Sequence, residues 1–146
     1  MKNSRGLLAV LTLISIIGIS LGAYTYVYRA ISEQVYTYRC GNLYFKPSSL
    51  PKFCTGAGAI VANIKWETWG AQGATGVGRY SINPCDLPCV DEKWKYTDVK
   101  VILSKPVRDK GKRVLSRIDI VTDDKKNLPS SDSSSDGWAL DSKHTT

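Results

Sequence analysis

Side chains suited to catalysis are scarce in this chain of 146 residues. Its one histidine is His144, near the C-terminus, whereas a nucleophilic serine or cysteine needs a base such as histidine beside it. Glu67, Asp98 and Asp119 could supply the two carboxylates of a glycoside hydrolase. Each lies on the polar face of an alternating segment, however, where a solvated charge is the default. We therefore predict no catalytic residues and no enzyme activity, with an envelope-glycan hydrolase as the alternative.

Four cysteines could form disulfides or hold a metal: Cys40, Cys54, Cys85 and Cys89. Outside the cytoplasm an even number favours disulfides, although the sequence alone allows three pairings. We predict the pairs Cys40–Cys54 and Cys85–Cys89, and by loop entropy the first contributes on the order of 3 kcal/mol. A four-cysteine zinc site is the alternative, but zinc ligands usually come in pairs about two to four residues apart and only the second pair complies. No metal and no cofactor are predicted.

Positive charge is concentrated in Lys105–Arg117, which holds six basic residues and one acid around Gly111. As the tip of a hairpin, this segment would bring four cations together: Arg108, Lys110, Lys112 and Arg113. Such a cluster binds polyanions in a salt-dependent manner. Charged hairpin tips also protect sheets from pairing edge to edge. The segment is therefore either an anion-binding tip or a solvated one.

Two tryptophans are candidate binding residues because they fall at the ends of predicted strands. Trp69 and Trp94 could stack on sugar rings or pack against a protein partner, while packing in or beside the core is the alternative. Trp66 lies on an apolar face and is expected in the core. The glycine-rich run at residues 70–78 leads into a strand rather than a helix, which predicts a hairpin connection and not a phosphate-binding loop.

Strands must position these residues, since the middle of the chain alternates between apolar and polar side chains. One face of Ala59–Trp69 is predicted to carry Ile60, Ala62, Ile64 and Trp66. Thr97–Leu103 and Val114–Ile120 alternate in the same way, and Val77–Asn83 and Val35–Arg39 are shorter candidates. Gly and Pro residues separate these segments, as in antiparallel sheets. The predicted fold class is mainly β, a small antiparallel sandwich or open barrel.

The N-terminal segment is long and apolar enough to cross a membrane. Residues 7–28 carry no charge, and as a helix they reach about 33 Å, against about 30 Å for a hydrocarbon core. Lys2 and Arg5 precede this segment, which keeps the N-terminus in the cytoplasm by the positive-inside rule. The predicted location is the cell membrane, single-pass, with the C-terminal domain outside. Secretion after signal cleavage is the alternative.

Five segments follow from these patterns: residues 1–6 as a cytoplasmic N-terminus, 7–28 as a transmembrane helix or signal segment, 29–34 as a linker, 35–122 as a β-rich extracytoplasmic domain and 123–146 as a disordered tail. The tail is rich in Ser and Asp and has few large apolar side chains, which predicts disorder. The net charge of +7 comes mainly from the β-rich segment. That charge suits an anionic neighbour, and plain solubility is the alternative interpretation.

An ordered set of motifs carries a resemblance: Cys54-Thr-Gly, Ile64–Ala71, Ala74–Gly78, Asn83–Cys89 and Val99–Pro106. With these motifs, the stretch from Cys54 to Val121 resembles a family of small secreted actinobacterial proteins without assigned function. The resemblance covers a little under half the chain and implies an exported β-rich domain, with no known activity. Many members carry a cysteine shortly after the segment matching Lys105-Pro-Val, where this chain has Asp109. The resemblance therefore implies Cys40 as the substitute disulfide partner.

The sequence as a whole predicts a non-enzymatic binding or interaction domain of the cell envelope. Its expected partners are the membrane, through residues 7–28, and an anionic cell-envelope polymer or a protein. No specific nucleic acid is expected. A purely structural secreted protein is the remaining alternative.

Overall fold

The computed structural model describes residues 4–32, 34–55, 58–83 and 94–142. The chain divides into two compact units, Met1–Gln34 and Val35–Thr146. In the first unit, helix α1 runs from Ser4 to Ser32. Its stretch Leu8–Tyr28 has 21 residues with a mean hydropathy of 2.0, long and apolar enough to span a membrane. The serine and threonine hydroxyl groups in this stretch donate to carbonyls three or four residues earlier, and they belong to Thr12, Ser15, Ser20 and Thr25.

The second unit is one curled sheet that forms an open half-barrel. Its strands are β1 (Val35–Arg39), β2 (Asn42–Tyr44), β3 (Leu50–Pro51), β4 (Ala59–Gly70), β5 (Gly73–Ile82), β6 (Lys95–Asp109), β7 (Lys112–Val121) and β8 (Ser135–Ala139). They lie in the order β2-β1-β7-β6-β5-β4-β3, with β8 also on β7. The mainly β prediction is confirmed, and the sheet is of the open-barrel kind.

Strand β7 pairs with three neighbours because two short strands share one of its edges. β1 runs parallel to its first half, from Val35 opposite Arg113 to Thr37 opposite Leu115. β8 runs antiparallel to its second half, and β6 covers the other edge in an antiparallel hairpin. The parallel β1–β7 pair is a departure from the predicted all-antiparallel sheet.

A β-bulge at Asn63 corrects the predicted face of β4. The pairing register of β4 against β5 shifts between Ala62 and Lys65, where Asn63 has a φ of 54°. The extra residue reverses the alternation, so Val61 and Ile64 are both buried although they lie three residues apart. Ile60 and Ala62, predicted to face the core, are only half-buried.

The two ends of the strand order are tied together by the segment between β2 and β3. Trp66 Nε1 donates a hydrogen bond of 2.8 Å to the Pro47 carbonyl, and the Ile64 amide donates one of 2.9 Å to Ser48. The disulfide Cys40–Cys54 joins the β1–β2 turn to the loop after β3, which confirms this predicted pair. The predicted pair Cys85–Cys89 lies outside the described residues.

The tail predicted to be disordered contributes a strand and core residues, so that prediction is wrong for the part the structure describes. β8 continues the sheet from Ser135 to Ala139. Leu128 and Leu140 are buried, at 2% and 5% exposure. Backbone pairing along the free edge of β7 does not depend on apolar side chains, which is how a Ser- and Asp-rich segment can form a strand.

Candidate binding surface

The β6–β7 hairpin brings the predicted cations together at its tip. Pairing continues to Asp109 opposite Lys112. Lys110 and Gly111 between them both have positive φ, at 47° and 77°, as a type I′ turn requires. We call the segment Arg108–Arg113 the basic tip. Its structure confirms the predicted hairpin around Gly111.

Among the described residues, three cations of the basic tip form no ion pair. Arg108 and Arg113 lie directly opposite each other on neighbouring strands. Like charges in directly opposite positions destabilise a strand pair. Within the described part of the chain, no carboxylate forms an ion pair with Arg108, Lys110 or Arg113. An external anion would therefore relieve repulsion instead of competing with an existing partner.

The one acid of the tip is occupied by a tyrosine. The Tyr38 hydroxyl donates a hydrogen bond to Asp109 Oδ2, and Tyr38 is only 5% exposed. The pKa of Tyr38 is raised because the Asp109 carboxylate accepts its hydrogen bond, with burial and the negative charge of Asp109 adding to the effect. This contact fixes the tip against β1.

Replacing Tyr38 by Phe is expected to lower the free energy of unfolding by about 1–2 kcal/mol at pH 7, because a hydrogen bond to a carboxylate is lost while the ring remains. Since the folded-state pKa of Tyr38 lies above its ordinary value of 10.0, the wild type keeps this contribution below that pH. The wild type loses this stabilisation as the pH rises through the folded-state pKa of Tyr38. Denaturant unfolding at neutral and alkaline pH should show a shallower alkaline decline in the variant.

Tyr96→Phe is the matched control, since Tyr96 is 60% exposed and should change neither stability nor its pH dependence. An alkaline decline in Tyr38→Phe as steep as that of the wild type would contradict the role of the Tyr38–Asp109 contact.

A row of aromatic rings leads away from the basic tip. Lys112 Nζ lies 4.8 Å from the Tyr36 ring centroid. Tyr36 contacts Phe45 edge-on with a distance of 6.5 Å between ring centroids, and Phe45 contacts Trp69 in the same way with a centroid distance of 5.9 Å. Trp69 then packs against Trp66 at 4.8 Å. We call the four rings, Tyr36, Phe45, Trp66 and Trp69, the aromatic row.

Within this row, Trp69 is a half-buried packing residue and Phe45 is the more accessible ring. Trp69 Nε1 donates a hydrogen bond of 3.0 Å to the Val35 carbonyl, whereas Phe45 is 47% exposed. Sequence reasoning singled out Trp69 but missed Phe45 and Tyr36. Phe45 follows a strand of three residues, and so short a segment shows no alternation to recognise.

The β4–β5 turn completes the same end of the sheet. Ala71 and Gln72 line a surface depression of about 230 Å³ together with Val107, Arg108 and Arg113 of the hairpin. Val107 is 43% exposed. Only Ala71 and Gln72 of the glycine-rich run form the predicted hairpin connection, which lies beside the basic tip, whereas residues 73–78 belong to strand β5.

Trp94 lies apart from the other predicted binding residues. It precedes β6, whereas the basic tip begins near the end of that strand, which is 15 residues long. Trp94 lines a small apolar depression of about 140 Å³ with Phe53 and Ile60. The structure thus brings Trp69 near the basic tip but does not bring Trp94 there.

The three acids considered for hydrolysis do not form a pair. Asp98 and Asp119 lie on neighbouring strands, but Asp119 pairs with Ile102, four residues along β6 from Asp98 and so about 13 Å away. Asp98 is bound to Arg79 at 3.3 Å and Asp119 to Arg117 at 2.8 Å. Glu67 lies on β4, two strands from β6. These residues therefore offer no acid–base pair.

An open groove of about 440 Å³ does hold two carboxylates, those of Asp98 and Asp123. Lys65 and Arg79 line the same groove, so cations and acids balance there. A general acid is typically buried among apolar groups, whereas the Asp98 side chain is 80% exposed. In the described residues no cluster of His, Cys, Asp and Glu is arranged to hold a metal ion.

Comparison of the chain with known protein families, with curated proteins and with solved structures gives no match. The resemblance to small secreted actinobacterial proteins accordingly stays a prediction.

Proposed function

We propose that this protein is a membrane-anchored, extracytoplasmic binding domain that recognises an anionic component of the cell envelope through its basic tip. The observation that carries the proposal is the charge of that tip. Four cations lie within six residues, and no ion pair in the described structure neutralises Arg108, Lys110 or Arg113. Clusters of this kind attract polyanions by releasing their counterions.

Anchoring and export are proposed from the N-terminal unit and the disulfide. Leu8–Tyr28 can span a bilayer, and Lys2 and Arg5 before it favour a cytoplasmic N-terminus. The Cys40–Cys54 bridge suits an oxidising compartment outside the cytoplasm. Both features are consistent with a β-rich domain held on the outer side of the membrane.

Binding is favoured over hydrolysis by the kind of surface on which the charges lie. Arg108, Lys110 and Lys112 are exposed at the tip of a hairpin, which a polymer chain or a charged surface can approach without entering a cleft. The hairpin is nevertheless fixed, because the Tyr38–Asp109 contact ties its end to β1. Fixed cations bind with less loss of conformational entropy than mobile ones.

Charge reversal at the tip is the direct test. The tip variant carries Arg108→Glu, Lys110→Glu and Lys112→Glu in the full chain, in a non-ionic detergent. Its affinity for polyphosphate at low salt should fall about 100-fold, and the log–log slope of affinity against salt concentration should fall by about two. Fluorescence anisotropy with end-labelled polyphosphate measures both quantities.

A control variant with Lys65→Glu, Lys95→Glu and Lys100→Glu lowers the net charge equally at exposed positions elsewhere in the sheet. It should retain most of the affinity. Equal losses in the two variants would mean that overall charge, not the tip, attracts the polymer. Unchanged binding by the tip variant would overturn the proposal and favour a solvated, purely structural hairpin.

A further inference from the structure

The chain enters the β-rich unit beside the basic tip. Val35, the first residue of β1, pairs with Arg113. The Val35 carbonyl is held by Trp69 Nε1 at 3.0 Å. The residue that connects this unit to the preceding helix is thus fixed at the end of the sheet that carries the tip and the exposed part of the aromatic row.

Covalent geometry limits how far Val35 can lie from a membrane that Leu8–Tyr28 spans. α1 continues to Ser32, which adds about 6 Å of helix beyond Tyr28. Three further residues bring the chain to Val35 and cover at most about 11 Å. The headgroup layer accounts for about 5–7 Å of this reach. Covalent geometry therefore allows Val35 to lie at most about 10–12 Å from the bilayer surface, comparable to the Debye length of about 8 Å at physiological salt.

The side chains at this end combine cations with exposed apolar groups. Arg108, Lys110 and Lys112 are exposed, and Lys46 Nζ lies 5.5 Å from the Phe45 ring centroid. Phe45 and Val107 are 47% and 43% exposed. Proteins that rest on a membrane interface show this combination, since basic groups contact anionic headgroups while apolar side chains enter the boundary layer.

We propose that the basic tip docks on the anionic phospholipid headgroups of the bilayer that holds α1. The inference rests on the proposed function, from which it takes both the anchor and the anion-binding tip. Tethering makes this contact intramolecular, so the effective concentration of headgroups is far higher than that of a soluble polymer. The docked tip gives the domain a second attachment point and a defined orientation on the membrane.

Photo-cross-linking in lipid nanodiscs tests this contact with the full chain. Val107→p-benzoylphenylalanine places the cross-linker beside Arg108, and mass spectrometry identifies lipid adducts. Nanodiscs of phosphatidylcholine mixed with phosphatidylglycerol should give about tenfold more adduct than phosphatidylcholine alone. High salt, or the tip variant as background, should remove the difference. Tyr96→p-benzoylphenylalanine is the matched control, because Tyr96 is exposed near the start of β6 and should give little adduct.

The outcomes separate this inference from the proposed function. A yield at Val107 that does not depend on phosphatidylglycerol or salt would overturn lipid docking. If the same preparation binds polyphosphate through the tip, the proposed function stands and the anion is a polymer. If it binds neither, both proposals fail. Equal adduct yields at Val107 and Tyr96 would show an undirected encounter with lipid and would also overturn the inference.

Discussion

A chain that ends at Thr122 is expected to lose the cooperative fold of the β-rich unit, although composition places the boundary of the domain there. Truncation removes β8 and with it five backbone pairs along β7, from Arg117 to Val121. It also removes Leu128 and Leu140, each worth about 1.5–3 kcal/mol when fully buried. The sum approaches the entire stability of an ordinary domain, about 5–15 kcal/mol. The exposed edge of β7 would in addition promote aggregation.

Point variants make this prediction measurable if the truncated chain cannot be purified. Leu128→Ala and Leu140→Ala should each lower the free energy of unfolding by about 2–4 kcal/mol, because both side chains are almost completely buried. Asp132→Ala is the matched control, since Asp132 is exposed in the same segment and should change stability by less than about 0.5 kcal/mol. Denaturant unfolding followed by circular dichroism gives these values.

Disorder of the tail would give a different pattern. Both leucine variants would then unfold like the Asp132→Ala control, and the truncated chain would keep the melting temperature of the full chain. Either result would contradict the pairing of β8 with β7. Limited proteolysis of the wild type adds an independent check, because β8 should be protected while a disordered tail would be cut first.

Features that depend on neighbouring residues could be predicted from the sequence. The apolar stretch of α1 is visible as an uncharged run, and the long strands β4, β6 and β7 are visible as alternation. The type I′ turn at Lys110 and Gly111 is equally local, because glycine adopts positive φ without a steric penalty. Each of these patterns depends only on residues that are neighbours in the sequence. It can therefore be recognised without knowing which strands pair with which.

Features that depend on distant partners could not be predicted in this way. The bulge at Asn63 reverses the faces of β4, and only the register against β5 reveals it. β8 forms because the edge of β7 is free, a property of another segment 14 residues earlier in the chain. The aromatic row joins rings from three separate segments. The cations of the basic tip were predictable because they are adjacent in sequence, whereas Phe45 and Tyr36 were not.

Replacing Cys40 and Cys54 together by Ser is expected to lower the free energy of unfolding by about 3 kcal/mol. The bridge closes a loop with a sequence separation of 14 residues, and closing such a loop restricts the unfolded chain by about this amount. Serine has nearly the size of cysteine and retains the positive φ of 48° at position 40 under the same strain. Denaturant unfolding of the full chain in detergent, with and without reductant, measures the change.

The reductant distinguishes the contributions of the two predicted disulfides to the free energy of unfolding. In the wild type it should cause at least the loss seen in the Cys40→Ser, Cys54→Ser variant, because it opens the Cys40–Cys54 bridge. Any further loss that reductant causes in that variant would come from Cys85 and Cys89 and would test their predicted pairing. A variant as stable as the oxidised wild type would contradict a stabilising role for the Cys40–Cys54 bridge.

The position of the bridge predicts where the native state should loosen. It connects the β1–β2 turn to the loop after β3, so it acts beside the contacts that tie the two ends of the strand order together. The Ile64 amide, which donates to Ser48, and the Lys52 amide, which donates to Ala59, should then exchange hydrogen faster in the variant. Hydrogen exchange at amides in the centre of β6 should change only as much as the global stability changes. Equal acceleration of exchange at these two amides and in β6 would mean that the bridge acts through the unfolded chain alone and does not stabilise the neighbouring contacts in the folded state.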